Sequence, residues 1–282
     1  MSRNNSDRFG AVEQNGPISQ EVNTSNTLQF VAPTEFVDLP SKGLGYNPEH
    51  PLHGQETVEI KYMTAKEEDI LSSKTLLKRG VALERFMENI IVDKKIKPDS
   101  LLSGDRNAIV IAARISGYGA NYETLVGCPA CGEKMTFSFD LNDQKMHEVI
   151  LLDELKITSS GAGTFKTIVP HTKFEVEFRL LRGEDENYLS SMMMDKRKRK
   201  IVESSTTDQY RRMIVSVQGF TDGTSINKYI TNMPTLDSRH LRLCYKAVCP
   251  DVRINNNFAC ESCGHEEEVD VPFGTDFFWP DR

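Results

Sequence analysis

Two short segments, Cys128-Pro129-Ala130-Cys131-Gly132 and Cys260-Glu261-Ser262-Cys263-Gly264, carry the residues of this chain best suited to chemistry. In each, two thiols sit three positions apart and Gly follows the second. Two thiolates on a tight turn can reach one metal ion, and Gly tolerates the positive φ that such a knuckle needs. An alternating run follows each pair. Met135, Phe137 and Phe139 alternate with Thr136, Ser138 and Asp140, and Val269, Val271 and Phe273 alternate with Glu268, Asp270 and Pro272. The pattern is one half of a zinc ribbon written twice. Cys128, Cys131, Cys260 and Cys263 together would close a tetrahedral structural zinc site with no open position, tying distant segments together without doing chemistry.

Redox pairs share the Cys-x-x-Cys spacing, but they need a strand-to-helix context, and strands are expected after both pairs here. Two partial knuckles that hold no shared ion are a further alternative. A disulfide framework is disfavoured, because the chain is long and begins without the apolar core of a secretory signal. Contiguous four-cysteine patterns separate their pairs by roughly 15–20 residues. Here 128 residues lie between Cys131 and Cys260, so the ribbon is expected to be discontinuous, with a subdomain inserted between its hairpins. His265 follows the second knuckle and is either a solvated residue or a substitute ligand. Cys244 shares a helical face with Leu241, Tyr245 and Val248, and Cys249 precedes Pro250 at that helix's end; both are assigned to packing.

These sites need elements to position them. The chain has 282 residues, enough for one or two domains, with a formal charge of −7 and a pI near 5.5. That balance disfavours nucleic acid as the main partner. No apolar run approaches the roughly 20 residues of a membrane span. Residues 1–28 are polar and lack a periodic apolar face, the composition of a flexible arm. Next comes a loop with two glycines, Val37 to Tyr46, and its extension holds His50 and His53. Val58, Ile60 and Tyr62 alternate as a strand should. Thr64-Ala65-Lys66-Glu67 has capping-box form and opens a helix expected to reach Arg79, before Gly80. Further helices are expected at Val81–Val92 and Asp105–Ser116, the second apolar all round and so central.

In the insert, Thr164–Val169 and Lys173–Leu180 predict a hairpin, with Phe174, Val176, Phe178 and Leu180 on one face. Helices are expected at Glu184–Glu203, Thr207–Val217 and Asp237–Val248. Gly161-Ala162-Gly163-Thr164 lacks the spacing of a phosphate loop. Met192-Met193-Met194 suits either a core or a protein interface. The basic run Lys196 to Lys200 is a solvated face, a contact for an acidic partner or a nucleic-acid footprint. Phe273, Phe277, Phe278 and Trp279 either pack on the ribbon or await a partner. No nucleophile elbow, open metal triad or nucleotide fingerprint is present, so no catalytic residue is assigned and no small-molecule substrate is expected.

Leu39-Pro40-Ser41-Lys42-Gly43-Leu44, Tyr62 to Leu71, Asp105 to Ile109, Ala112 to Gly119 and the first knuckle occur in this order. Together they resemble the baseplate proteins of T-even-like contractile-tailed phages, a group that includes hub assembly proteins. The resemblance covers about residues 36–140 and returns at the second knuckle. It implies a non-enzymatic role in building the baseplate, through contacts with other hub or wedge subunits. The place would be the host cytoplasm during assembly, or the virion tail. The alternatives are a transient chaperone or adaptor that leaves before the particle matures, and a zinc-ribbon nucleic-acid-binding protein. The expected fold is α+β. It comprises a polar arm (1–28), a loop, strand and helical region (29–121), a discontinuous zinc ribbon (122–141 with 253–273), an inserted subdomain (142–252) and an aromatic tail (274–282).

Overall fold

Polar–apolar alternation builds the first sheet. In the computed structural model, which describes residues 32–147, 149–151, 153–199, 205–271 and 275–278, β1 (Thr34–Asp38) pairs antiparallel with β2 (Thr57–Lys61) and sets Val37 opposite Val58. The polar arm, Lys200, Phe273 and Trp279 lie outside the described residues. Glu67 accepts from the Thr64 N–H at 3.0 Å and from its hydroxyl at 2.5 Å, closing the expected capping box at the start of α1 (Ala65–Ser72). The single helix expected to reach Arg79 is in fact two. Extended backbone at Ser73 (ψ 107°) separates α1 from α2 (Lys74–Arg79). α3 (Ala82–Ile90) turns Phe86, Met87 and Ile90 inward. α4 (Ser103–Tyr118) buries Ala108, Ile109, Val110, Ile111 and Ala113, and is the central helix that its all-round apolar run requires.

β3 (Asn121–Gly127) and β4 (Lys134–Asp140) form the first long hairpin. β5 (Lys145–His147) pairs antiparallel with Asp251–Arg253, a strand more than a hundred residues later. Between them, β6 (Thr158–Ser159), β7 (Thr164–Ile168), β8 (Glu175–Arg179) and β9 (Ile214–Val217) form an antiparallel sheet in that order. Val176 and Phe178 are buried, as the alternation requires, but Phe174 precedes the strand and is exposed. α5 (Gly183–Lys198) and α6 (Ser205–Met213) connect β8 to β9. The helix expected to reach Val217 stops at Met213. The β-branched Ile214, Val215 and Val217 join the sheet instead, where stiff side chains pack well. α7 (Gly223–Asn232) went unrecognised from periodicity; Asp222 caps it by accepting from the Ser225 N–H at 2.9 Å. α8 (Thr235–Val248), β10 (Asp251–Arg253) and the hairpin of β11 (Asn255–Ala259) with β12 (Glu266–Asp270) complete an α+β fold.

One buried cluster runs from Val37 and Tyr46 through Ile109 and Ile111 to Val176, Phe178, Leu241 and Val248. Each such side chain contributes about 1.5–3 kcal/mol. Phe277 and Phe278 belong to this cluster. Phe278 meets Phe86 edge-on at 5.1 Å and Phe277 lies 5.0 Å from Tyr122, so this part of the tail packs on the helical region and on the base of the first ribbon hairpin. Cys244 is buried beside Thr167, and burial raises its thiol pKa.

A buried acid stands at the third position of four helices: Glu67, Asp105, Asp185 and Asp237. The positive end of a helix favours a carboxylate there. Three of these acids strap loops or strands to the core. Asp105 accepts from the Ser41 N–H at 3.1 Å, the Ser41 hydroxyl at 2.7 Å and the Tyr46 hydroxyl at 2.7 Å. Tyr46 Oη in turn accepts from the Leu102 N–H at 3.0 Å. Asp185 holds Arg179 through two bonds of 2.7 and 2.8 Å and Arg212 through one of 2.9 Å. Asp237 accepts from the His171 N–H at 2.6 Å and from the Thr172 N–H and hydroxyl at 3.1 and 2.8 Å.

His50 stacks on Tyr46 with ring centroids 4.3 Å apart. Its Nδ1 accepts from the Leu52 N–H at 3.1 Å, which leaves the proton on Nε2 to donate to Ser100 Oγ at 2.9 Å. Burial, aided by the Arg182 charge, lowers its pKa from 6.5 to about 4. The unfolded chain therefore binds a proton at this residue below pH 6.5 that the folded chain refuses, and stability falls as pH drops from 6.5 towards 4. Thermal melts across this window should show a smaller loss in His50→Gln than in the parent.

Candidate metal centre

The two hairpin tips are built alike. In the first, the Cys128 N–H donates to Glu133 O and the Gly132 N–H to Cys128 O, both at 2.8 Å. In the second, the Cys260 N–H donates to His265 O and the Gly264 N–H to Cys260 O, also at 2.8 Å. Gly132 and Gly264 have φ of 74° and 69°, a conformation in which a Cβ is strained, so both turns need the residue that follows each thiol pair. The tips share a small apolar seat. Phe258 is fully buried, Phe137 meets it edge-on at 5.8 Å, and Val126, Met135 and Val269 pack around it.

This seat brings together all four cysteines expected from the sequence. The Sγ atoms of Cys128, Cys131, Cys260 and Cys263 lie within 4.8 Å of one another. Across the two tips, Cys128 lies 3.7 Å from Cys263 and Cys131 lies 3.6 Å from Cys260. A zinc ion with four Zn–S bonds of about 2.3 Å has sulfurs about 3.8 Å apart along each tetrahedral edge. Cys128 and Cys260 form a buried inner pair, Cys131 and Cys263 an exposed outer one.

The four thiols perturb one another. The N–H groups of Cys131 and Ala130 hold the Cys128 thiol down at about 7. The Glu133 N–H favours a thiolate at Cys131, but the neighbouring sulfurs outweigh it and push Cys131 up to about 12. Four thiols this close cannot all ionise by themselves, whereas four bonds to a dication remove that conflict.

His265 is not part of the sulfur cluster; its ring lies 3.5 Å from Glu267, and its carbonyl serves the second turn. His53 bonds Tyr46 O at 2.8 Å. The node of Asp105 with Ser41 and Tyr46 is the site that sequence reasoning missed. Ser41 and Asp105 lie in the strings that carry the baseplate resemblance and Tyr46 two residues beyond the first, but nothing in their types or spacing marks them as partners.

The class of molecule is thus an α+β protein whose two distant hairpins form a four-cysteine ribbon with metal-binding geometry. A family model described as "T4 bacteriophage base plate protein" matches residues 34–279, and the chain belongs to that family. No curated protein and no solved structure matches it. No described helix is long and apolar enough to cross a membrane.

Proposed function

We propose that this chain is a non-enzymatic structural part of the phage tail baseplate, acting as a hub component or as a protein that assembles the hub. Structural zinc on Cys128, Cys131, Cys260 and Cys263 clamps the inserted segment (142–252) to the helical region (29–121). The observation that carries this reading is the family match over residues 34–279. The four-sulfur cluster supports the clamp, because a site closed by four protein ligands leaves no position for a substrate. The partners are other hub or wedge subunits, met in the host cytoplasm during assembly and retained in the contractile tail. The test is affinity purification of the chain from infected cells, with mass spectrometry of purified particles. Baseplate subunits should co-purify, and the chain should be stoichiometric in the particle. Presence in assembly intermediates but not in particles would assign it to the transient chaperone or adaptor role. Absence from both would overturn the baseplate reading.

A further inference from the structure

The formal charge of this chain is concentrated in one place. The spans Asn121–Asp140 and Asn255–Asp270, which make up the ribbon, hold eight carboxylates and one lysine, a formal −7, as large as the charge of the whole chain. All eight carboxylates are exposed, Glu123, Glu261, Glu266, Glu267, Glu268 and Asp270 among them. Four thiolates around a dication would add −2. Leu125, on the first hairpin, is 68% exposed.

The oppositely charged surface belongs to α5. Of this 16-residue helix only Gly183 and Asp185 are buried. Its C-terminal end and cap run Asp195-Lys196-Arg197-Lys198-Arg199, a formal +3; Lys196 is paired with Asp208 of α6, whereas Lys198 is 78% exposed. Met194, 60% exposed, and Tyr188, 48% exposed, give the same helix an apolar surface. One helix face thus offers positive charge with exposed Met, and one hairpin pair offers negative charge with exposed Leu.

We infer that the exposed face of α5 docks on the acidic ribbon of a second copy of this chain. Charge complementarity between these two surfaces selects the occupant, because each presents what the other lacks. The contact joins two different patches, so it is head-to-tail, and repeating it closes a ring or extends a filament. The inference goes beyond the scaffold role. A chain that fails it can still be a baseplate part, which co-purification reads separately.

Sedimentation velocity of the purified full chain, from roughly 0.05 to 0.5 M salt, tests the contact. Self-association should be strongest at low salt. Glu266→Lys with Glu268→Lys, or Lys198→Glu with Arg199→Glu, should each weaken it at least ~10-fold, because like charges then face each other. Circular dichroism melts check that both variants fold. A mixture of the two variants should associate again, since each reversed patch then meets an oppositely charged one. The inference is overturned by a chain that stays monomeric throughout, by association indifferent to both reversals, by a mixture that fails to recover, or by binding only to a basic surface of another protein.

Discussion

Cys128→Ser or Cys260→Ser should unfold the hairpin tips and abolish assembly. The reason is the small size of the seat. Tyr122 and Phe139 anchor the base of the first hairpin in the main core, but the tips bury little beyond Phe258 and the two inner cysteines. Each buried side chain contributes about 1.5–3 kcal/mol, whereas ordering each backbone residue costs about 1–2 kcal/mol. The seat alone therefore cannot order two turns and their flanking strands. A structural zinc contributes on the order of 10 kcal/mol as folding free energy. Serine at an inner position also leaves a hydroxyl among apolar neighbours, so it should cost more than serine at the exposed Cys131 or Cys263. Thermal melts of the four variants, with and without a strong chelator, measure this ordering. The chelator should bring the parent down to the level of Cys260→Ser and change that variant little. Equal stability of parent and inner variants would remove the clamp.

Asp105→Ala should be the most damaging substitution outside the ribbon. It strips the acceptor from the Ser41 N–H, the Ser41 hydroxyl and the Tyr46 hydroxyl, all inside the core. An unsatisfied buried polar group costs about 1–3 kcal/mol. Allowing for rotation of the two hydroxyls, the loss should be about 3–5 kcal/mol, a large share of the 5–15 kcal/mol typical of a folded domain. Asp105→Asn keeps one acceptor oxygen and should lose less. Urea unfolding at neutral pH measures both.

The pH profile is a second readout of the same residue. Burial raises the Asp105 pKa above its ordinary value of 3.8, against the pull of its hydrogen bonds. The folded chain therefore keeps a proton at this residue over a range where the unfolded chain has released it, and stability falls as pH rises through that range. Asp185 and Asp237 act in the opposite sense. Burial alone would raise both, but the Arg179 side chain bonded to Asp185, and the His171 N–H bonded to Asp237, lead the contacts that hold them below 3.8. Their stabilisation is present above pH 3.8 and is lost as pH falls through their folded-state values. Asp105→Asn should thus remove the contribution that strengthens on acidification and leave the acid-labile one.

The four-cysteine cluster was legible because metal chemistry fixes residue type and spacing locally; two Cys-x-x-Cys-Gly turns carry their geometry within five residues each. α4 was legible from an apolar run too wide for one face. The strand β9 was not, because Ile214 to Val217 continue a helical pattern through Tyr210 and Met213, and only the edge of β8 selects the extended form. The break at Ser73 was missed because nothing in its neighbours forbids helix. The buried acids were invisible as straps, because a sequence shows an acid near a helix start but not the distant loop it will hold. Asp105 and Ser41 are 64 residues apart.

The most direct measurement is metal analysis of the purified chain, combined with X-ray absorption at the zinc edge. One zinc per chain, with four sulfur neighbours at about 2.3 Å, is the expected result. A chain that purifies folded without metal, or an ion bound by nitrogen and oxygen in place of the four sulfurs, would contradict it.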